Sequence, residues 1–245
     1  MQSNKKNNSR SSQALRVIIA CHVLEPEIEK LRPYEKGIEV RYVEQGLHET
    51  PDKMPGIIQE EIDRTEGYTS KIVLGYGLCS NGIVGIKAPK QGLIVPKVHD
   101  CIALFLGSHE MYKAVFHNHP GTFYLTSGWI AENADPLGWM EKKYVPRYGR
   151  EMAEWALKEE LKNYTHIALI NMKIGNLAPL RERALENARF LELKYEEIDG
   201  SLELLKKIVF GPYEERDFFF FQPGEIVSQN PFLDLPSSEK KKVAN

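Results

Sequence analysis

The feature that most constrains this chain is a series of short apolar runs, each leading into a polar segment that carries a cysteine. The runs Ile72–Leu74 and Leu93–Val95 are short enough to be fully buried strands. Cys79 and Cys101 follow these two runs, and Cys21 follows a similar run near the start of the sequence. Ligands bind at the carboxyl edge of an open parallel α/β sheet, so we expect the three cysteines to share one crevice there.

The alternation of strand and helix patterns along the chain predicts an α/β fold. We expect a mostly parallel sheet, or two such sheets, with helices on both faces and Rossmann-like halves around a cleft. At 245 residues the chain is long enough for a real core. The predicted division is a disordered N-terminus at 1–14, an N-terminal α/β half with the cysteines at 15–130, a linker or lid at 131–147, a C-terminal α/β half at 148–228 and a tail at 229–245.

Composition and charge narrow the class of protein. The formal net charge is −2, from 32 basic and 34 acidic residues, which gives no basic surplus for nucleic acid. No apolar run approaches the roughly 18 residues that span a bilayer, and the polar residues 1–13 do not read as a secretory signal. We therefore predict a cytoplasmic protein without membrane or nucleic-acid partners, in which three widely spaced cysteines stay reduced.

The cysteines are the residues that best suit a functional site. Thiolates favour zinc, other soft metals or an iron–sulfur cluster, and three of them leave an open position for a substrate. A fourth ligand from His22, His48 or His99 would close a zinc site instead. Two other interpretations stay open: a catalytic site that uses thiols alone, and three buried thiols that pack as small apolar residues.

Residues beside the cysteines are further candidates. Tyr76 is an aromatic residue at a strand end, and Gly77 permits close approach of the backbone, so both are predicted to bind a cofactor. The glycines here do not form a dinucleotide-binding motif, and the chain has no Walker sequence. Asp100 either caps a helix or takes part in chemistry, and the dipole of that helix would lower the pKa of Cys101.

The remaining histidines are not assigned to a site. They lie in predicted helices or loops and have no partner that converges on them in the sequence pattern. We interpret them as surface residues: His109, His117, His119 and His166.

The segments around the cysteines resemble a family of uncharacterised bacterial and archaeal proteins that is known as a domain of unknown function. The resemblance implies that Cys21, Cys79 and Cys101 are signature positions, and that such proteins often occur beside corrinoid-dependent methyltransferases in anaerobes. His22 departs from the pattern, which has a small residue there. The segments that carry the resemblance are IIAC at 18–21, GYGLCSNG at 75–82, PKVHDC at 96–101, LFLGS at 104–108, GTFYLTSGW at 121–129 and PGE at 223–225.

These observations together predict a cytoplasmic metalloprotein in which the three cysteines bind an iron–sulfur cluster, with zinc as the alternative. We expect it to act in anaerobic one-carbon, methyl-transfer or sulfur metabolism, on a small-molecule substrate or with corrinoid methyltransferase components. The alternative is a non-enzymatic accessory or binding module of a corrinoid methyltransferase system. The sequence leaves open whether the protein is an enzyme.

Overall fold

The strands of the protein form two separate sheets. A computed structural model describes residues 15–32, 36–65, 67–233 and 235, and it confirms the predicted α/β class. The strands are β1 (Leu15–Cys21), β2 (Ile38–Val43), β3 (Thr69–Gly75), β4 (Leu93–Pro96), β5 (Thr122–Leu125), β6 (His166–Asn171), β7 (Lys194–Asp199) and β8 (Phe218–Phe221). Within these ranges, one sheet has the order β2-β1-β3-β4-β8 and the other has the order β5-β6-β7.

Helices flank both sheets. Among the described residues none of them is long and apolar enough to cross a membrane. They are α1 (Glu25–Leu31), α2 (Met54–Asp63), α3 (Ile102–Leu106), α4 (His109–Asn118), α5 (Ser127–Ala131), α6 (Pro136–Trp139), α7 (Val145–Tyr148), α8 (Arg150–Glu160), α9 (Leu177–Leu191), α10 (Glu203–Phe210) and α11 (Asn230–Leu233). Helix α2 packs on β1 and β2, α10 contacts α1, α3 and β3, and α9 covers β6 and β7.

The first sheet contains a reversal of strand order at its centre. β1 pairs in parallel with both β2 and β3, and β3 pairs in parallel with β4. The chain therefore runs from β1 to one side of the sheet and returns to the other side at β3. Ligands of open α/β sheets bind at such a switch point, outside the carboxyl ends of the strands. The crevice between the ends of β1 and β3 is thus the position that the topology favours for a ligand.

The sheets do not follow the predicted halves at 15–130 and 148–228. β5 comes from the first range but pairs with β6 in the second sheet, and β8 comes from the second range but pairs antiparallel with β4. The predicted division of the chain into independent folding units stays a prediction.

The predicted linker or lid and the predicted tail both contain helical turns. The segment 131–147 holds α6, a π-turn and α7. Its buried Asp135 accepts hydrogen bonds from the Asn187 side chain of α9 at 2.8 Å and from the Gly138 amide at 3.3 Å, which fastens the segment to α9. In the tail, Phe232 of α11 is buried against Phe219 of β8, with ring centroids 4.8 Å apart. Residues 1–14 and 236–245 lie outside the described residues.

The carboxyl ends of the two sheets are joined directly. The Ser127 hydroxyl, after β5, donates to Glu27 of α1 at 2.8 Å, and Glu27 is fully buried. Gly128 lies against the turn that follows β1, where an added Cβ would meet the Val23 carbonyl oxygen at 1.9 Å. A glycine is therefore required for this approach. The contact places the end of β5 next to the residues that follow Cys21.

The buried carboxyl of Glu27 predicts a pH-dependent stability. Burial raises the pKa of Glu27 from 4.5 to about 7, so over that window the folded protein holds a proton that the unfolded chain has released. Stability from this group is greatest below the lower pKa and falls as the pH rises through the window, by about 3 kcal/mol in all. We expect Glu27→Gln, which stays neutral, to unfold at higher urea than the wild type at pH 8.

The measurement is urea unfolding of both proteins between pH 4.5 and pH 8. Glu182→Gln, at an exposed position of α9, is the control and should follow the wild type throughout. A difference between Glu27→Gln and the wild type that does not grow with pH would contradict a neutral, buried Glu27.

Candidate functional site

The three cysteines lie at the carboxyl edge of the first sheet, as predicted. Cys21 is the last residue of β1, Cys79 lies in the turn after β3, and Cys101 directly precedes α3 after β4. β1, β3 and β4 are neighbours in one parallel set. All three thiols are free and buried, with exposed fractions of 0%, 4% and 5% in chain order.

The thiols interact with one another and with Tyr76. A hydrogen bond with the Cys79 side chain, followed by burial and the charges of Cys79 and Cys21, raises the pKa of Cys101 well above its ordinary value. Burial raises the pKa of Cys21 to about 12, and a hydrogen bond with Tyr76 opposes that shift. The predicted lowering of the Cys101 pKa by a helix dipole is therefore wrong for the free thiol. α3 has only five residues, and its dipole is outweighed.

The spacing of the sulfurs limits what they can hold. The three sulfurs do not all lie within 4.8 Å of one another. Sulfurs that share one tetrahedral zinc ion lie about 3.8 Å apart, because each Zn–S bond is about 2.3 Å long. The arrangement therefore does not fit one zinc ion held by all three cysteines.

The turn that carries Cys79 has an uncommon backbone. Cys79, Ser80 and Asn81 are three consecutive non-glycine residues in the left-handed region, with φ of 47°, 55° and 68°. Each such residue costs on the order of 1–2 kcal/mol, and such outliers cluster at functional sites. The turn is closed by the Gly82 amide, which donates to the Cys79 carbonyl oxygen at 3.0 Å.

Two loops of the crevice touch each other through their backbones. The amides of Leu78 and Cys79 donate to carbonyl oxygens of the loop after β4, at 3.1 and 2.8 Å. A Cβ added at Gly77 would lie 2.8 Å from the amide nitrogen of Asp100. The glycine at 77, predicted to admit a cofactor, is thus required by contact between loops. Tyr76, the other predicted cofactor-binding residue, is 1% exposed and hydrogen-bonds to Cys21.

Of the three histidines proposed as a fourth ligand, His48 has a ring nitrogen close to a cysteine sulfur. Its Nε2 lies 3.5 Å from the Cys21 sulfur, and its ring stacks on Tyr76. Burial lowers the pKa of His48, which favours the neutral, ligating form. Both ring nitrogens of His22 are within 2.9 Å of carboxylates. The His99 ring lies next to another histidine, with centroids 5.0 Å apart.

Asp100 has the geometry of a capping residue. Its Oδ1 accepts from the Ile102 amide at 2.9 Å, at the start of α3. Tyr112 of α4 also hydrogen-bonds to Asp100, and burial raises the pKa of the Asp100 carboxyl. The loop that carries Cys101 is therefore fixed to α3 and α4 together.

Sequence reasoning missed a second group of side chains. Among the described residues, the His/Cys/Asp/Glu group with ligand atoms all within 4.8 Å of one another is His119, His166 and Glu196. His119 and His166 do converge on a partner, contrary to the sequence interpretation, although the His119 side chain is 40% exposed. His109 is buried, with 6% exposed, and His117 is exposed as predicted. Residues 166 and 196 lie on the same face of paired strands β6 and β7, so knowledge of the strand register would have revealed them.

The fold and site define the protein as an open α/β protein with three buried cysteines at the carboxyl edge of its five-stranded sheet. Its sequence matches the family described as "Protein of unknown function (DUF1638)" over residues 42–209, and the chain belongs to this family. The matched range includes Cys79 and Cys101, whereas Cys21 on β1 precedes it. No curated protein and no solved structure has significant similarity to the chain.

The contact between the two loops predicts a steric effect at Gly77. Gly77→Ala should destabilise the protein by about 1–3 kcal/mol, because the new methyl group meets backbone atoms that have no room to yield. Gly56→Ala is the matched control: it lies in α2, where an added Cβ has no neighbour within 4 Å. We expect this control to gain about 0.5–1 kcal/mol in the free energy of urea unfolding. Equal stability of the two variants would rule out the close contact.

Proposed function

We propose that Cys21, Cys79 and Cys101 bind an iron–sulfur cluster, and that the protein acts with it in anaerobic one-carbon, methyl-transfer or sulfur metabolism in the cytoplasm. The observation that carries the proposal is the position of the three thiols. The three cysteines lie at the end of, or after, three neighbouring parallel strands. Their thiols interact electrostatically with one another. Family membership adds no function, because the family is described as one of unknown function.

The chemistry of the donor set supports a bound cation. Buried thiols with a raised pKa stay protonated, and a soft metal centre can replace those protons because it neutralises the thiolates. The left-handed turn at Cys79–Asn81 supports the same conclusion, because backbone outliers of this kind cluster at functional sites. When bound by three cysteines, a cluster would supply one iron free to take part in electron transfer or Lewis-acid chemistry.

Zinc is the weaker alternative at this site. The sulfur spacing does not fit a zinc ion shared by the three cysteines. A zinc site would have to use fewer of these sulfurs together with His48, whose Nε2 is 3.5 Å from Cys21.

The burial of the cysteines favours a second candidate function, that of a non-enzymatic accessory or binding module for a corrinoid methyltransferase system. At most 5% of any cysteine is exposed, so a small-molecule substrate has little access to the centre. Electron transfer to a partner needs no such access. This partner assignment rests on the setting implied by the sequence resemblance.

The metal proposal predicts loss of iron on removal of one ligand. Protein purified without oxygen should contain iron and sulfide, and Cys79→Ala should lower the iron content by at least about tenfold, because one ligand of the cluster is gone. Elemental analysis and the visible absorption of the protein measure this. Ser80→Ala, a change in the same turn at a residue without a thiol, should keep its iron.

His48→Ala separates the cluster from zinc. With a cluster held by three cysteines, this variant keeps its iron. A zinc site completed by His48 would instead lose its metal. Full metal content in Cys79→Ala would remove Cys79 from the ligands and overturn the proposal.

The two roles are separated by methylcobalamin, used as the corrinoid probe with a thiol acceptor. An enzyme that transfers methyl groups should convert its absorption spectrum over many turnovers, and Cys79→Ala should not. An accessory module should bind the corrinoid or the methyltransferase without turnover. Because the thiols are so deeply buried, we expect no turnover.

A further inference from the structure

A second cluster of ligating side chains lies on the other sheet. His119 is the C-cap residue of α4, His166 is the first residue of β6, and Glu196 lies on β7. We propose that these three residues, the His–Glu cluster, bind one divalent transition-metal ion such as Zn²⁺. This site is separate from the cysteine crevice and does not depend on it.

The distances fit ligands that share a metal. The Glu196 Oε1 atom lies 3.4 Å from His119 Nδ1 and 3.5 Å from His166 Nε2. Charge-assisted hydrogen bonds of this type are about 2.7–2.9 Å long. Two ligand atoms bound to a tetrahedral zinc ion at roughly 2.0–2.1 Å are about 3.3 Å apart. The observed spacing is therefore too long for two strong hydrogen bonds and close to that of a coordination shell.

The Thr165 hydroxyl can hold His166 in the tautomer that binds a metal. The Thr165 Oγ1 atom lies 2.8 Å from His166 Nδ1, and 3.3 and 3.4 Å from the carbonyl oxygens of Pro120 and Gly121. When the hydroxyl donates to one of these carbonyls and accepts from Nδ1–H, Nε2 keeps a lone pair on the side of the Glu196 carboxylate. A partner on Nδ1 is what a metal-binding histidine usually has.

The surroundings leave room for a further ligand. His119 is 40% exposed, whereas His166 is 13% exposed and Glu196 27% exposed. A cavity of about 460 Å³ adjoins the cluster and is lined by α4 and β7 residues that include His119 and Glu196. The neighbouring Glu197 is already paired with Arg181, at 2.7 Å. Two imidazoles and one carboxylate suit zinc, cobalt or ferrous iron, with open positions for water or a small anion.

The position of the cluster indicates what the ion would do. Residues 119 and 166 lie at the amino ends of β5 and β6, opposite the edge where α/β sheets bind substrates. A bound ion would tie the C-terminal end of α4 to β6 and β7. The other end of α4 carries Tyr112, which bonds to Asp100 beside Cys101. The ion therefore stabilises the helix that supports the cysteine loop.

Co²⁺ titration of the reduced full-length protein tests the proposal, because thiolate and nitrogen–oxygen sites differ in absorption. We expect one equivalent of Co²⁺ to bind without a sulfur-to-cobalt charge-transfer band, and Zn²⁺ to displace it. Glu196→Gln keeps the shape of the side chain but removes the charged ligand. Its affinity for Co²⁺ should fall by more than roughly 10- to 100-fold, the loss that follows when a ligand loses only its hydrogen-bond partner. Zn²⁺ should raise the melting temperature of the wild type and not that of Glu196→Gln.

Three variants act as controls. His117→Ala, an exposed histidine on the same helix, should bind as the wild type does. Cys79→Ala should still bind one equivalent of Co²⁺ without a sulfur-to-cobalt band. Failure of the cysteine proposal and failure of this one are therefore distinguishable. His166→Ala should lose this equivalent, with circular dichroism as the check on folding. If the wild type binds no equivalent of Co²⁺ without a sulfur band, or if Glu196→Gln binds with unchanged affinity, the proposal is overturned.

Discussion

The cysteine crevice depends on one backbone contact, that between the loop after β3 and the loop after β4. Gly77 lies against the amide of Asp100, and the Leu78 and Cys79 amides donate to the opposite loop. These bonds hold the start of the left-handed turn at Cys79–Asn81. Helix α2 also packs against this turn, because an added Cβ at Gly82 would meet the Met54 sulfur of α2 at 2.4 Å. The strain at Cys79 is thus offset by contacts on both sides.

Helix α4 connects the two candidate metal sites. Its first half provides Tyr112, which bonds to Asp100 next to Cys101, and its C-cap is His119 of the His–Glu cluster. The two candidate sites offer different donor atoms: the cysteines offer sulfur, and the His–Glu cluster offers nitrogen and oxygen. Metals differ in which of these donors they prefer. A helix held at both ends also leaves the Cys101 loop fewer conformations.

Local patterns in the sequence predict the strands and the edge on which the cysteines lie, because buried strands and the residues that follow them are short-range features. Pairing between distant strands is not local. The assignment of β5 and β8 to their sheets therefore needed the structure, and so did the approach of His166 to Glu196, which depends on the β6–β7 register. The pKa of Cys101 depends first on Cys79, 22 positions earlier in the sequence, and then on burial, and a helix-dipole argument does not capture either.

The antiparallel pairing of β8 with β4 has a consequence for synthesis of the chain. Ribosomes release β1 to β4 long before β8, so a nascent chain presents the hydrogen-bonding edge of β4 uncovered while the second sheet is being made. Such an edge invites pairing with other chains. β8, which consists of four phenylalanines, pairs with the edge of β4 only after β8 itself has been translated. Until β8 has docked, the nascent sheet thus has two open edges, at β2 and at β4, instead of the edges at β2 and β8 in the folded protein.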